Sequence, residues 1–252
     1  AEKFLAEAEK EKLRANLLRA VSHDLRTPLT SMIGASSSYL ENEAALPPKE
    51  KRELVSEIYE DANWLLHMVE NLLSVTRITD GGASVLKKTP EAAEEVLFDA
   101  VSTSRKRYPD LQIKTVIPDE FVTAPMDPLL IKQVLLNLIE NAYFHARSTK
   151  PLECTLSSTE DAIKFCIRDY GTGIAPDRLS GIFDAVPSAP SSAASTVDTR
   201  KGMGIGLSIC KAIVNAHNGE ITARNLTEGA EFCFTIPKEE IHHETYDPNP
   251  RH

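Results

Sequence analysis

Asn137-Leu138-Ile139-Glu140-Asn141-Ala142 lies on a segment that opens with Asp127-Pro128 and keeps a helical pattern to about Ala146. Aspartate at the cap and proline at the first helical position start a helix, because the amide that proline lacks would go unpaired in the first turn anyway. Residues four apart share a helix face, so Asn137 and Asn141 stand together with Glu140 beside them. Two amide oxygens and a carboxylate on one face suit Mg²⁺, a hard ion that keeps several waters and binds through few protein ligands plus phosphates. The pattern also fits a polar helix face that holds no ion.

Two further motifs follow. Asp169-Tyr170-Gly171-Thr172-Gly173 comes directly after a strand pattern at Ala162 to Arg168. A carboxylate at a strand end can accept the exocyclic amine of adenine, and glycines beside it allow close backbone approach. Gly202-Met203-Gly204-Ile205-Gly206-Leu207 opens a helix that runs to about His217. Its first amides can hold phosphates, with Arg200 or Lys201 adding positive charge. Each motif alone is weak, and none is a P-loop or a first-strand dinucleotide fingerprint.

The surrounding pattern mixes strands and helices. Thr89-Pro90 is expected to cap a helix running to about Arg107, and strands are expected at Gln112 to Ile117, Phe121 to Ala124, Leu152 to Ser157, Glu220 to Arg224 and Ala230 to Ile236. Because the alternation is not strictly βαβ, a two-layer α/β sandwich is favoured over a doubly wound sheet. The Ser/Ala/Pro stretch from Val186 to Thr199 reads as a mobile loop, and the tail from Glu239 as disordered.

Upstream of Gly82 the pattern is purely helical. A first helix extends to about Leu40, Leu46-Pro47-Pro48 breaks it, and a second runs from Lys49 to about Thr79 before Gly81-Gly82. The second carries a heptad seam of Leu54, Ile58, Ala62, Leu65, Val69, Leu72 and Thr76. Such a hairpin leaves apolar surface uncovered on both helices, which a dimeric four-helix bundle would bury. A plain coiled-coil spacer has the same periodicity. Within the first helix, Leu13, Leu17, Val21, Leu25, Leu29 and Met32 form one stripe, and His23 faces the opposite side, in water. Asp24 adjoins His23, Arg26 and Thr27 share its face, and Pro28 removes an amide donor and bends the helix. An ordinary solvated histidine is the plain alternative.

Composition narrows the classes. The chain has 252 residues, 42% of them hydrophobic, and a formal charge of -9, which argues against a nucleic-acid or anionic-membrane surface. Its beginning, already inside a helical pattern, suggests part of a longer chain. No apolar run approaches the roughly 20 residues of a membrane span. Cys154, Cys166, Cys210 and Cys233 show no metal-ligand spacing and are expected to be reduced, mostly buried small hydrophobes.

In this order, the three motifs resemble the N, G1 and G2 boxes of the GHKL ATPases, and Ser22-His23-Asp24-Leu25-Arg26-Thr27-Pro28-Leu29 resembles the H box of sensor histidine kinases. The wording of Tyr59 to Leu65 and of Met126 to Ile131 is similar to a potassium- and turgor-sensing branch. The resemblance implies a dimerisation and phosphotransfer domain over residues 1–80, a GHKL (Bergerat) ATP-binding domain over 81–238, and a tail over 239–252. It implies ATP and Mg²⁺ as cofactors, a homodimer, a response-regulator receiver domain as partner, and a place on the cytoplasmic side of an inner-membrane sensor whose membrane part lies upstream.

By the same resemblance, His23 takes the γ-phosphoryl group, with Asp24 as its acid–base partner, and Thr27 orients water when the regulator is dephosphorylated. A packing role at the Pro28 bend is the other reading of Thr27. Asn141 and Asn137 are assigned to the metal and nucleotide, Asp169 to adenine with Gly171 and Gly173 around it, and Lys201, Gly202, Gly204 and Gly206 to phosphates. Glu140 matches the residue that orients water elsewhere in the superfamily, though attack by an imidazole needs no activated water. Two departures stand out. Phe144 replaces the usual lysine, and Ile182-Phe183-Asp184 continues as Ala185-Val186-Pro187 without the usual second aromatic and arginine. They keep open a nucleotide-impaired adaptor acting as phosphatase or scaffold, while an ATP-driven clamp is the third reading.

Overall fold

The computed structural model describes residues 25–81, 86–146, 148, 150–184 and 205–239. A helix α1 over 25–42 turns through 43–47 into α2 (Pro48–Gly81). Then follow β1 (Thr89–Ala92), α3 (Ala93–Arg107), β2 (Ile113–Val116), β3 (Thr123–Met126), α4 (Pro128–His145), β4 (Leu152–Ser158), β5 (Ala162–Arg168), α5 (Pro176–Leu179), α6 (Ile205–Ala216), β6 (Ile221–Asn225) and β7 (Ala230–Pro237). Five strands form one sheet in the order β2-β4-β5-β7-β6, antiparallel except for the parallel β2·β4 pair, and β1 pairs with β3 in a separate ribbon.

Alternation along β5 and β7 explains the layer structure. Ile163, Phe165, Ile167, Phe232, Phe234 and Ile236 are buried with Val96, Leu97, Leu135, Leu138, Ile139, Ile213 and Val214 of α3, α4 and α6. Phe165 and Phe234, opposite in register, stack at 4.9 Å. Each such side chain contributes roughly 1.5–3 kcal/mol when fully buried. The expected two-layer α/β sandwich is therefore present, and no described helix is long and apolar enough to cross a membrane.

Three expectations need correction. Thr89 and Pro90 do not open a helix. They begin β1, which pairs with Thr123–Met126, and the Thr89 hydroxyl donates to Glu91 instead of capping. Proline tolerates this edge position, and α3 starts four residues later at Ala93. The strand expected at Phe121 to Ala124 lies at Thr123–Met126.

The hairpin leaves part of its apolar stripes uncovered. Pro28 and Ala35 are buried but Leu29 is 45% exposed, and along α2 the buried positions are Met68 and Asn71 while Val69 of the heptad seam is exposed. Met68 packs into the core of the α/β sandwich. Leu72 and Thr76 fall outside the described side chains. Finally, Cys166 and Cys233 are joined in a disulfide, and only Cys154 and Cys210 are buried free thiols. The stretch over 186–199 expected to be a loop, and the expected tail after its first residue Glu239, lie outside the described residues.

One buried histidine ties two helices together. His217, after α6, accepts the Asp127 amide at Nε2 (3.0 Å) and donates Nδ1–H to the Ile213 carbonyl (2.8 Å). Burial lowers its pKa below the usual value. The unfolded chain thus binds a proton more readily, so the stability from His217 is present above about pH 6.5 and is lost as pH falls through the lower native value. We expect urea melts to show the wild type ahead of His217→Gln by about 1–3 kcal/mol near pH 7.5, with the gap closing below pH 6.5.

Candidate functional site

Where β5 ends, Asp169 is 4% exposed. Its amide donates to the Ala230 carbonyl (2.9 Å), and its Oδ1 accepts from the Gly171 amide (2.9 Å) and the Ala230 amide (3.2 Å). One oxygen thus fixes the turn after β5 and the start of β7. Oδ2 has no hydrogen-bond partner among the described residues. A buried acceptor held rigid with a spare oxygen is suited to a ligand that brings an N–H.

Two glycines let the chain close around this carboxylate. A Cβ on Gly171 would stand 1.7 Å from the Ala146 carbonyl oxygen, which also accepts from the Thr172 amide (3.2 Å), so the turn lies directly on the end of α4. Gly229 has φ +79°, and a Cβ there would stand 2.1 Å from the Asp169 carbonyl oxygen. Only glycine fits that combination. Gly173 is held from β6, where Asn225 Oδ1 accepts from the Ile174 amide (2.8 Å) and Nδ2 donates to the Ile174 carbonyl (2.7 Å).

The α4 face divides its polar residues. Asn141 is half-buried and has no hydrogen-bond partner among the described residues, so its amide oxygen is available. Asn137, 7% exposed, is engaged: its Nδ2 donates to Asn71 Oδ1 (3.0 Å) and, at 3.4 Å, to the Gly206 carbonyl, and its Oδ1 accepts from Gln133 (3.2 Å). Gln133 also donates to Asn71 Oδ1 (2.8 Å). A single carbonyl oxygen on α2 therefore receives two amides from α4. Glu140 Oε1 accepts from Arg107 Nη1 (2.7 Å) and the Tyr108 hydroxyl (3.3 Å), and Arg107 reaches Glu70 of α2 at 3.9 Å. Burial first, then the Glu140 charge, pushes the Tyr108 hydroxyl pKa far up, so it remains a donor.

Phe144 packs with Tyr108 (5.5 Å) and Tyr143 (5.0 Å) in an aromatic cluster, which is what replaces the expected cation. Thus Asn137, Gly206, Asn141 and Glu140 share one helix face and its neighbour, while Asp169, Gly171 and Gly173 form the adjoining corner. Thr27 is exposed on α1. His23, Asp24, Lys201, Gly202 and Gly204 lie outside the described residues. Sequence reasoning missed Asn71, Gln133, Arg107, Tyr108, Asn225 and Gly229. Of these, only Gly229 carried a local signal, a glycine between two strand patterns.

Comparison with known proteins gives two family matches. Residues 126–240 match the histidine kinase-, DNA gyrase B- and HSP90-like ATPase family, and residues 13–81 match the His kinase A (phospho-acceptor) domain. Sensor protein KdpD of Clostridium acetobutylicum is 43% identical over 239 residues, 94% of this chain and 26% of that protein. Sensor protein KdpD of Escherichia coli is 34% identical over 235 residues, 92% of this chain and 25% of that protein. The chain thus spans about a quarter of the length of these curated relatives. Among solved structures, histidine kinase ThkA in complex with response regulator protein TrrA superposes with a TM-score of 0.70 at 20% identity, covering 94% of this chain and 66% of that one. At that identity the likeness is one of fold.

The junction between α2 and α4 is directly testable. Asn71→Ala removes the acceptor of two buried amides, and leaving such donors unsatisfied costs about 1–3 kcal/mol. We expect a lower urea midpoint for Asn71→Ala, and a smaller effect of the same substitution when Gln133 is already alanine.

Proposed function

The chain belongs to the sensor histidine kinases, and from that membership we propose that it moves the γ-phosphoryl group of MgATP to His23 and then to an aspartate on a response-regulator receiver domain. The observation that carries this reading is the half-used Asp169 carboxylate, whose Oδ1 is committed to Gly171 and Ala230 while Oδ2 is left for the adenine amine. Bound Mg²⁺ neutralises phosphate charge and fixes the geometry of the triphosphate. Asn141, whose amide has no hydrogen-bond partner among the described residues, is the residue best suited to hold it. The Asn137 Oδ1 already accepts from Gln133, so Asn137 joins when Gln133 releases that oxygen.

The remaining roles follow from the chemistry of the transfer. A water-exposed imidazole is mostly neutral near pH 7, so a ring nitrogen of His23, by family likeness Nε2, is available as nucleophile. Asp24 accepts the hydrogen bond or proton of the other nitrogen, a contribution of roughly 10²–10⁴-fold. Lys201 and the amides at Gly202, Gly204 and Gly206 hold phosphates. Glu140, bound by Arg107 and Tyr108, serves as a structural anchor of α4 rather than as a base. Thr27, exposed on the hairpin, orients water for dephosphorylation of the regulator.

We assign residues 1–80 to dimerisation and phosphotransfer, 81–238 to ATP binding, and 239–252 to a tail. The receiver domain docks on the hairpin. That ThkA is known in complex with the response regulator TrrA supports this partner class. A second copy of the chain covers the apolar face of Leu29, Ile33, Leu40, Val55, Tyr59 and Leu66. Likeness to KdpD supports potassium or turgor signalling from the cytoplasmic side of a membrane-held sensor. One observation favours a second reading, an adaptor that acts mainly as phosphatase: Phe144 supplies aromatic packing where the family places a cation.

Radiolabel from γ-labelled ATP decides between them. We expect acid-labile incorporation that disappears in His23→Gln, whereas no labelling at saturating MgATP would leave the adaptor. Asp169→Asn keeps an acceptor for Gly171 and Ala230 but turns the spare oxygen into a donor. We expect MgATP affinity to fall at least about tenfold, roughly 1.4 kcal/mol, with thermal stability close to that of the wild type.

A further inference from the structure

The sheet face away from the helices carries a chemical group that phosphoryl transfer does not use. Cys166 of β5 and Cys233 of β7 are opposite each other in register, with Cα atoms 4.1 Å apart, the short spacing of a non-hydrogen-bonded antiparallel pair. Their sheet neighbours in register are Thr155 on β4 and Thr222 on β6, both small and polar. Cys166 is partly exposed and Cys233 is buried. Lys164 and Arg168 share the Cys166 face, one step along β5 in each direction, and positive charge favours thiolate. The Glu231 carboxylate lies within 4.8 Å of both sulfurs, but Arg224 neutralises it through Nε (2.7 Å) and Nη2 (2.5 Å). The other two cysteines differ. Cys154 and Cys210 are inside the sandwich, where burial pushes both thiols up to about 12.

The position of this pair connects it to the nucleotide corner. Asp169 stands three residues beyond Cys166 on β5, and Ala230 three residues before Cys233 on β7, so the rung between Asp169 and Ala230 is built from the same two strands. A covalent link at 166 and 233 fixes the strands that set the spacing of that rung. Fixing a binding corner in advance improves affinity by removing an ordering cost at the moment of binding.

We propose that Cys166 and Cys233 form a reversible dithiol–disulfide pair that exchanges with low-molecular-weight disulfides such as glutathione disulfide, and that the closed form holds the Asp169 corner for nucleotide. The second half of this proposal rests on the nucleotide reading of the site. In the closing direction, the Cys166 thiolate attacks one sulfur of the small disulfide. A mixed disulfide forms, and one small thiolate leaves and takes a proton from water. The Cys233 thiolate then attacks the Cys166 sulfur and expels the second small thiol. Two protein thiols are oxidised and one small disulfide is reduced to two thiols.

The test uses the full chain, reduced with dithiothreitol, freed of reductant, and then divided between anaerobic buffer and glutathione disulfide. Native alkylation followed by mass analysis should label Cys166 in the reduced portion and spare the buried Cys154, Cys210 and Cys233, and alkylation after denaturation should label all four in the reduced portion but only Cys154 and Cys210 after glutathione disulfide. MgATP titration should show the reduced form binding at least threefold more weakly, with the Cys166→Ser/Cys233→Ser double variant resembling the reduced form in both buffers. If glutathione disulfide fails to protect the two thiols, exchange is overturned. Protection with affinities within twofold would overturn the coupling alone. If no form binds MgATP, the nucleotide reading fails and takes the coupling with it, while the alkylation pattern still decides the exchange.

Discussion

The carboxylate of Asp169 is the constraint on which the catalytic half depends. A strand end, a glycine turn and a hairpin start meet at one oxygen, Oδ1, which satisfies the amides of both Gly171 and Ala230. Buried donors left unpaired would each cost about 1–3 kcal/mol, so the carboxylate is structural before it is functional. Its geometry also requires Gly229, whose backbone passes too close to the Asp169 carbonyl for any Cβ, and Gly171, which rests on the Ala146 carbonyl at the end of α4. The strand that presents the acceptor is thereby joined to the helix that presents the amides.

A second junction links this site to the helical hairpin. Asn71 reaches from α2 to α4, and its one carbonyl oxygen takes hydrogen bonds from Gln133 and Asn137. Polar junctions of this kind are specific in geometry. They also separate at smaller cost than an apolar seam, because water can re-pair the exposed amides. Arg107 adds a bridge of the same character, held by Glu140 and reaching Glu70.

Local chemistry made much of this legible in the sequence. Asp127-Pro128 starts α4 where expected, with the Asp127 carboxylate accepting from Leu129 and Leu130, and β4 and β5 fall within a residue of their reading. Failures came where a distant partner decided the outcome. Thr89-Pro90 has a helix-start signature, but the edge of β3 was waiting for it. Beside the heptad seam of α2, Met68 and Asn71 turn toward the other half of the molecule, which no periodicity of α2 alone signals. No spacing rule could pair Cys166 with Cys233, which are 67 residues apart and meet only through the register of β5 with β7. Asn71 and Gln133 carry no motif at all, since their meaning arises from docking.

The two asparagines of the α4 motif illustrate how one fold gives similar residues different work. α4 is immobilised at both ends, at its start by the Asp127 cap and His217, and at its end by Gly171 and Thr172 on Ala146. Asn141 stands near the second anchor with its amide unclaimed, so a ligand meets a side chain on a backbone that no longer has to be ordered. Asn137, one turn back, has its hydrogen-bonding capacity taken up by α2, Gln133 and the Gly206 carbonyl. Its Oδ1 is held within α4 by Gln133, while its amide nitrogen is the part that follows Asn71 and the hairpin. The motif thus combines an amide without a partner among the described residues with one whose nitrogen joins α4 to both α2 and the start of α6.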